Sequence, residues 1–120
     1  MWEENLGGNI QLQQTEWGTF LQDLHQNRFQ MVGGLGWIAD YPDPENFLFL
    51  LYGPNGKKQS GGENAANYQN AEFDRLFEAM KVMPNGPERL EIIRKMNRIL
   101  QHDAPWIWGF HQKAFVLQHG

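Results

Sequence analysis

Three acidic residues that lie close together, Asp40, Asp43 and Glu45, form the first group in the sequence that could do chemistry. Carboxylates at such spacing can bind calcium, but this segment lacks the alternating oxygen ligands and the central glycine of an EF-hand loop. Asp43 followed by Pro44 is instead typical of a helix N-cap with proline at the first helical position. The group therefore predicts a helix start, and nothing else in the sequence supports a hydrolase built on two of these carboxylates.

Histidines form the second candidate group, because imidazole is a common ligand of zinc. His102, His111 and His119 lie near the carboxyl end together with Asp103, while His25 is far away in the sequence. Their spacing matches no common zinc pattern. We therefore expect surface histidines, no metal held by the protein itself, and no cofactor.

The other common catalytic patterns are absent from the sequence. There is no Gly-x-Ser-x-Gly, no phosphate-binding loop and no His-Glu-x-x-His, and the lack of cysteine excludes thiol catalysis. A net charge of -4 without a basic cluster argues against nucleic-acid binding. No apolar run is long enough to span a bilayer, so we expect no membrane insertion of this segment. These observations predict a globular protein that is not an enzyme.

Alternation of apolar and polar residues predicts the strands. Residues 10–14 and 29–32 show this pattern on either side of a helix that Thr15 can cap, and the order strand–helix–strand indicates parallel pairing. Residues 106–117 are rich in aromatic and β-branched side chains and are also predicted to be extended. The sequence thus predicts a small sheet with helices packed against it.

Helical spacing predicts three further helices. They cover about residues 44–51, a segment that begins at Asn70 and ends before a Pro-Asn-Gly-Pro break, and about residues 87–102. Residues 53–62, rich in Gly, Lys and Asn, are predicted to be a mobile loop. The apolar faces of the last two helices comprise Phe73, Leu76, Phe77, Met80, Leu90, Ile93, Met96, Ile99 and Leu100.

Four stretches in this order resemble the family of extracellular solute-binding proteins that serves oligopeptide, dipeptide and nickel importers, known as family 5. The most specific is Gly-Trp-Ile-Ala-Asp-Tyr-Pro-Asp-Pro at residues 36–44. The others are residues 2–12, Asn-Ala-Glu-Phe-Asp-Arg-Leu at 70–76, and Ile-Leu at 99–100 followed by Asp-Ala-Pro-Trp-Ile at 103–107. The resemblance covers nearly the whole chain, but only the last part of a typical family member.

The resemblance implies an α/β fold: one lobe of a type II periplasmic-binding-protein-like fold, with a small mixed sheet flanked by helices. Residues 1–105 would form the carboxy-terminal ligand-binding lobe, and residues 106–120 a strand that returns toward the amino-terminal lobe of the same protein. Such a protein captures peptides or similar small solutes between its lobes, closes by a hinge motion and delivers them to an ABC permease. It works in the periplasm or another extracytoplasmic space, so a signal peptide is expected upstream.

The resemblance also implies the binding residues. In peptide-binding members the aspartate at the position of Asp40 pairs with the α-amino group of the ligand, and Trp37 would form a wall of the cleft. Backbone groups available for strand-like pairing with a peptide would come from Gly34, Gly36, Ile38 and Ala39.

Several alternatives remain open at this point. Asp40 could only cap the turn before Pro42, and Trp37 could pack in the core. Because the family includes nickel-binding members, a metal or metal chelate could be the ligand. The lobe could also serve as an interaction module that contacts a permease or a partner lobe without a ligand of its own.

Overall fold

The computed structural model describes residues 2–111 and 113–118. The described part of the chain is built from helices joined by irregular segments. None of these helices is long and apolar enough to cross a lipid bilayer. The α-helices are α1 (Trp2–Leu6), α2 (Trp17–His25), α3 (Glu45–Leu48), α4 (Lys57–Ser60), α5 (Ala71–Lys81) and α6 (Pro87–Asp103), with 3-10 turns at Phe49–Leu51 and Gly53–Asn55.

The predicted α/β architecture with a small mixed sheet is wrong for the described residues. Residues 10–14, 29–32, 106–111 and 113–117 contain no paired strand. Elsewhere in the described part of the chain, Gly56 and Asn64 form an isolated parallel bridge. The alternating pattern shows that a segment could lie in a sheet, but a strand exists only when its backbone groups pair with a neighbour. These segments find no such neighbour within the described residues.

The chain divides into two compact units, Met1–Trp37 and Ile38–Gly120. In the first unit, α2 begins one residue later than Thr15 would place it, because Glu16 is the N-cap. Its carboxylate accepts hydrogen bonds from the backbone N–H groups of Gly18 at 2.8 Å and Thr19 at 3.2 Å. These bonds favour the ionised side chain and therefore lower the pKa of Glu16. The ionised carboxylate is thus the form that caps α2.

The core of the second unit lies between α3 with its following turn, α5 and α6. The helix predicted to begin at Asn70 is α5, and Asn70 is its N-cap: the side-chain oxygen accepts hydrogen bonds from the N–H groups of Glu72 and Phe73 at 3.0 Å each. The predicted apolar faces of α5 and α6 are largely confirmed, although Leu90 is 44% exposed. The buried cluster comprises Leu48, Leu51, Phe73, Leu76, Phe77, Met80, Ile93, Met96 and Leu100.

The mobility of residues 53–62 stays a prediction, but the segment is not a loop: it forms two short helical turns, Gly53–Asn55 and Lys57–Ser60. A buried side chain, Asn64, holds it: the amide Nδ2 donates to the carbonyls of Tyr52 at 3.1 Å and Tyr68 at 2.9 Å, and Oδ1 accepts from the Tyr68 N–H at 3.2 Å. Gly53 is tied to α5 by a 2.8 Å bond from its N–H to Asp74 Oδ1. Composition predicted a loop because it does not show which polar side chains satisfy buried backbone groups.

Candidate functional site

A surface pocket of about 390 Å³ opens beside Asp40 in the second unit. It lies between α3, the segment that follows it and the carboxyl half of α5. Carboxylate, amide, ammonium and aromatic groups meet there, which suits a small polar ligand with an apolar part. The lining residues that matter below are Asp40, Glu45, Asn46, Tyr52, Phe77 and Lys81.

Asp40 is held in the pocket wall by a reciprocal pair of hydrogen bonds with Asn46. The Asp40 N–H donates to Asn46 Oδ1 at 3.0 Å, and Asn46 Nδ2 donates to Asp40 Oδ2 at 3.3 Å. Asn46 is only 3% exposed on α3, whereas Asp40 is exposed. A buried amide thus orients an accessible carboxylate, so that the carboxylate can meet a cation from solvent without first being ordered.

The next aspartate in the same motif, Asp43, has a structural partner that the sequence did not reveal. Its Oδ1 accepts from the N–H of Glu45, the first residue of α3, at 2.8 Å and forms a 2.8 Å ion pair with Arg89 Nη2 on α6. Pro44 occupies the position directly before the helix. The hydrogen bond from Arg89 is the main cause that lowers the pKa of Asp43. A carboxylate held by a buried guanidinium is unsuited to bind calcium.

Arg89 is 5% exposed and holds Asp43, near the end of the motif at residues 36–44, against the last two helices. Besides the bond to Asp43, its Nε donates to the carbonyl of Met80 at 3.0 Å and its Nη1 to Asn85 Oδ1 at 2.9 Å. The sequence signal was an arginine in the first turn of a helix, where an acidic residue would suit the helix dipole better. Such a residue needs a specific partner.

The aromatic wall of the pocket was also missed. The ring of Tyr52 stacks on Phe77 with centroids 4.6 Å apart. Its hydroxyl donates a short hydrogen bond to Glu78, which is the main cause that raises the pKa of Tyr52 to about 12. The Lys81 ammonium also pairs with Glu78, with Nζ 3.3 Å from Oε2. The phenol therefore remains neutral at physiological pH.

The other five predicted ligand residues are separated by the boundary between the two units. Gly34, Gly36 and Trp37 belong to the first unit, and Ile38 and Ala39 to the second. All five are exposed, and neither Ile38 nor Ala39 lines the pocket described above. Gly34 has a positive φ of 80°, a conformation that favours glycine. A ligand-binding role for these residues stays a prediction.

The histidine group does not form a metal site among the residues that can be described; His119 lies outside them. Within the described residues, no three His, Cys, Asp or Glu side chains are arranged to hold a metal ion. His102 Nδ1 lies 2.9 Å from Asp103 Oδ1, and this bond is the main cause that lowers the pKa of Asp103 to about 2. Asp103 Oδ2 also accepts from Tyr68 at 2.5 Å and Asn70 at 2.8 Å. These bonds join the end of α6 to the start of α5.

Comparison with known proteins finds no matching family model. The chain is 31% identical over 105 residues to the oligopeptide-binding protein OppA of Bacillus subtilis, a match that covers 88% of this chain and 18% of the relative. It is 30% identical over 128 residues to the periplasmic oligopeptide-binding protein OppA of Salmonella typhimurium, covering 94% and 22%. Heme-binding protein A of Haemophilus influenzae is 31% identical over 101 residues, covering 84% and 18%.

These matches span most of this chain but only about a fifth of each relative, 18–22% of its length. The relatives are solute-binding proteins and not enzymes, which agrees with the prediction of a non-enzymatic role. They include oligopeptide- and dipeptide-binding proteins of ABC transport, and some are periplasmic by name. The chain is therefore homologous, over most of its length, to part of the family 5 solute-binding proteins, as its four sequence stretches predicted.

Proposed function

We propose that this chain provides one wall of the solute-binding cleft of an ABC importer's binding protein, which captures peptides or similar small solutes between two lobes. The observation that carries the proposal is the exposed carboxylate of Asp40, held at a pocket by the buried amide of Asn46. In this proposal Asp40 accepts the α-amino group of the ligand. A permease and an amino-terminal lobe are its partners, and it acts outside the cytoplasm.

The chemistry of the pocket supports an ammonium ligand. A hydrogen bond between a carboxylate and an ammonium group is worth about 1.5–3 kcal/mol, because it is assisted by charge. The contact does not involve a peptide side chain, so it tolerates any sequence. The ring of Tyr52 and the edge of the pocket at Phe77 offer apolar surface to the adjoining part of a ligand. The relatives, which include oligopeptide- and dipeptide-binding proteins, support the same solute class.

A contact surface for a protein partner is the second candidate, and one observation favours it. The segment after α6 carries large apolar side chains in solvent: Ile107 is 74% exposed, Phe110 89%, Phe115 90% and Leu117 99%. Exposed apolar surface of this extent is typical of interaction sites. A chain that serves only as a contact surface would bind no peptide through Asp40, so the two candidates are separated by one binding experiment.

The test is Asp40→Asn in the natural full-length protein, measured by calorimetry with a peptide and its amino-acetylated form. Asparagine keeps the size and the hydrogen-bond geometry toward Asn46 but removes the charge. We expect affinity for the free peptide to fall roughly tenfold to hundredfold, the equivalent of about 1.5–3 kcal/mol. Affinity for the acetylated peptide should change little, since it carries no ammonium group.

Glu45→Gln is the matched control, because Glu45 lines the same pocket and the change removes the same charge. We expect it to weaken binding of the free peptide much less than Asp40→Asn does. Equal losses for free and acetylated peptides would mean that Asp40 shapes the turn and does not bind the amine. Absence of peptide binding in the unmodified protein would contradict the peptide proposal and favour the contact-surface candidate.

A further inference from the structure

The tripeptide Pro-Asn-Gly occurs twice in the chain, at residues 54–56 and 84–86. Asparagine before glycine is chemically labile, since the glycine amide nitrogen can attack the asparagine side chain without hindrance from a Cβ. The identical tripeptides have the same local chemistry. Any difference in their reactivity must therefore come from the fold.

At the second tripeptide the attacking nitrogen is accessible. Asn85 and Gly86 are both exposed, and the Gly86 N–H is bonded to no acceptor among the described residues. Gly86 is extended, with φ 173° and ψ 178°, and a Cβ placed on it would meet nothing within 4 Å. Little therefore opposes the movement of this nitrogen toward the side chain of Asn85.

The side chain of Asn85 is polarised by a fixed positive charge. Arg89 Nη1 donates to Asn85 Oδ1 at 2.9 Å, while the rest of the guanidinium is held by the Met80 carbonyl at 3.0 Å and by Asp43 at 2.8 Å. Negative charge develops on Oδ1 when a nucleophile adds to Cγ. A cation already positioned at that oxygen stabilises the addition step.

We propose that Asn85 is a site of spontaneous deamidation that the fold promotes through Arg89. The Gly86 nitrogen loses its proton to base and attacks Asn85 Cγ, forming a new N–C bond with charge on Oδ1. The Cγ–Nδ2 bond breaks, and Nδ2 takes up a proton and leaves as ammonia, which yields a cyclic imide. Water then adds to either imide carbonyl and opens the ring to an aspartyl or isoaspartyl residue.

At the first tripeptide the fold opposes the same reaction. The Gly56 N–H donates to the Gly53 carbonyl at 2.9 Å, and Gly56 is buried. Asn55 Nδ2 donates to the carbonyl of Phe49 at 3.3 Å, so the side chain is held as well. Attack requires local opening of this segment, and an opening free energy of about 1.4 kcal/mol already slows the reaction tenfold.

Deamidation at Asn85 changes the surroundings of Arg89, which holds Asp43 of the motif at residues 36–44. The product places a carboxylate opposite Arg89, where it competes with Asp43 for the guanidinium. The isoaspartyl form also inserts a backbone carbon just before α6. We therefore expect the modified chain to differ in charge and in the position of Arg89.

The test is to incubate the full chain at neutral pH, in native buffer and in denaturant, and to follow both tripeptides by peptide mapping with mass spectrometry. In denaturant Asn55 and Asn85 should convert at comparable rates. In the native chain Asn85 should convert at least about tenfold faster than Asn55, as the opening argument requires. Equal native rates for the two sites, or a native Asn85 that converts more slowly than in denaturant, would overturn the proposal.

Gly86→Ala provides a variant that should keep its fold, since any residue adopts the backbone angles of Gly86 and the site has open space. The added methyl group hinders the attack. We expect loss of Asn85 to slow severalfold or more while the thermal unfolding midpoint stays the same. An unchanged rate in this variant would show that Gly86 is not the nucleophile.

Discussion

The ion pair between Asp43 and Arg89 offers the sharpest test of how the end of the motif at residues 36–44 is held. Asp43→Asn keeps the side-chain shape and an oxygen that can cap α3, but leaves a guanidinium that is 6% exposed without its counter-charge. Removing one partner of a fully buried pair costs about 3–5 kcal/mol. The carboxylate here is 23% exposed, and Arg89 keeps its bonds to Met80 and Asn85. We therefore expect a loss of about 1.5–3 kcal/mol, the range for a hydrogen bond to a charged group.

The pH dependence gives an independent check of this reasoning. The bond from Arg89 lowers the pKa of Asp43 in the folded state, below the unfolded value of about 3.9. The contribution of the pair is therefore fully present above about pH 4 and is lost as the pH falls through the folded pKa. The stability difference between the unmodified chain and the Asp43→Asn variant should be constant near neutral pH and shrink in acid.

Urea unfolding of both chains, monitored by the fluorescence of the second unit's tryptophans, measures this difference at each pH. Glu91→Gln is the matched control, because it removes the same charge from α6. Glu91 pairs with Arg94 at 3.6 Å and Arg98 at 3.2 Å, both in solvent, so its loss should leave the midpoint nearly unchanged. If Asp43→Asn leaves the unfolding midpoint as nearly unchanged as this control does, or if its loss of stability does not shrink in acid, then the charge of Asp43 does not stabilise the buried guanidinium of Arg89.

Three further outcomes are expected from the segment with two helical turns that precedes α5 and from the pocket wall. Asn64→Ala should destabilise the chain by about 2–4 kcal/mol in urea unfolding, because it leaves buried backbone groups unpaired; a loss well below about 1 kcal/mol would contradict the role of this side chain. Gly62→Ala should cost about 1–3 kcal/mol, since a Cβ there would lie 2.5 Å from the Asn55 carbonyl oxygen, whereas a neutral effect would mean that the segment yields easily. In spectrophotometric titration the Tyr52 phenol should ionise near its raised pKa of about 12 and shift back toward its ordinary value in Glu78→Gln; an unshifted pKa in that variant would contradict the hydrogen bond.

Local signals in the sequence were sufficient for the helices of the second unit. Asn70 before an apolar repeat predicted the start of α5, and the repeat itself predicted which face is buried, because capping and periodicity depend on near neighbours in the chain. The Asp43-Pro44 pair likewise indicated where α3 begins, and the Asp43 side chain accepts a hydrogen bond from the N–H of Glu45, the first residue of that helix. The order of four stretches was enough to predict the homology with family 5, since each stretch is read directly from residue identity.

The sheet could not be decided in this way. Alternation at residues 10–14 and 29–32 is a local property, but strand pairing requires a distant segment in the correct register. The loop assignment at residues 53–62 was wrong for a related reason: the helical turns there depend on Asn64, a side chain outside the segment that reaches three backbone groups. Amino-acid composition indicates how flexible a segment is in isolation. It does not show which hydrogen bonds the segment makes to the rest of the fold.

For the candidate site, the sequence by itself determined that Asp40 lies in a motif shared with solute-binding proteins, that its neighbour Asp43 begins a helix, and which faces of α5 and α6 are apolar. Only the tertiary structure decided that Asn46 orients Asp40, that Tyr52 forms a wall of the pocket and that Arg89 anchors the motif from α6. Each of these contacts joins residues through space, and their energies depend on burial and on distances of a few ångströms. Neither burial nor distance is present in the order of residues along the chain.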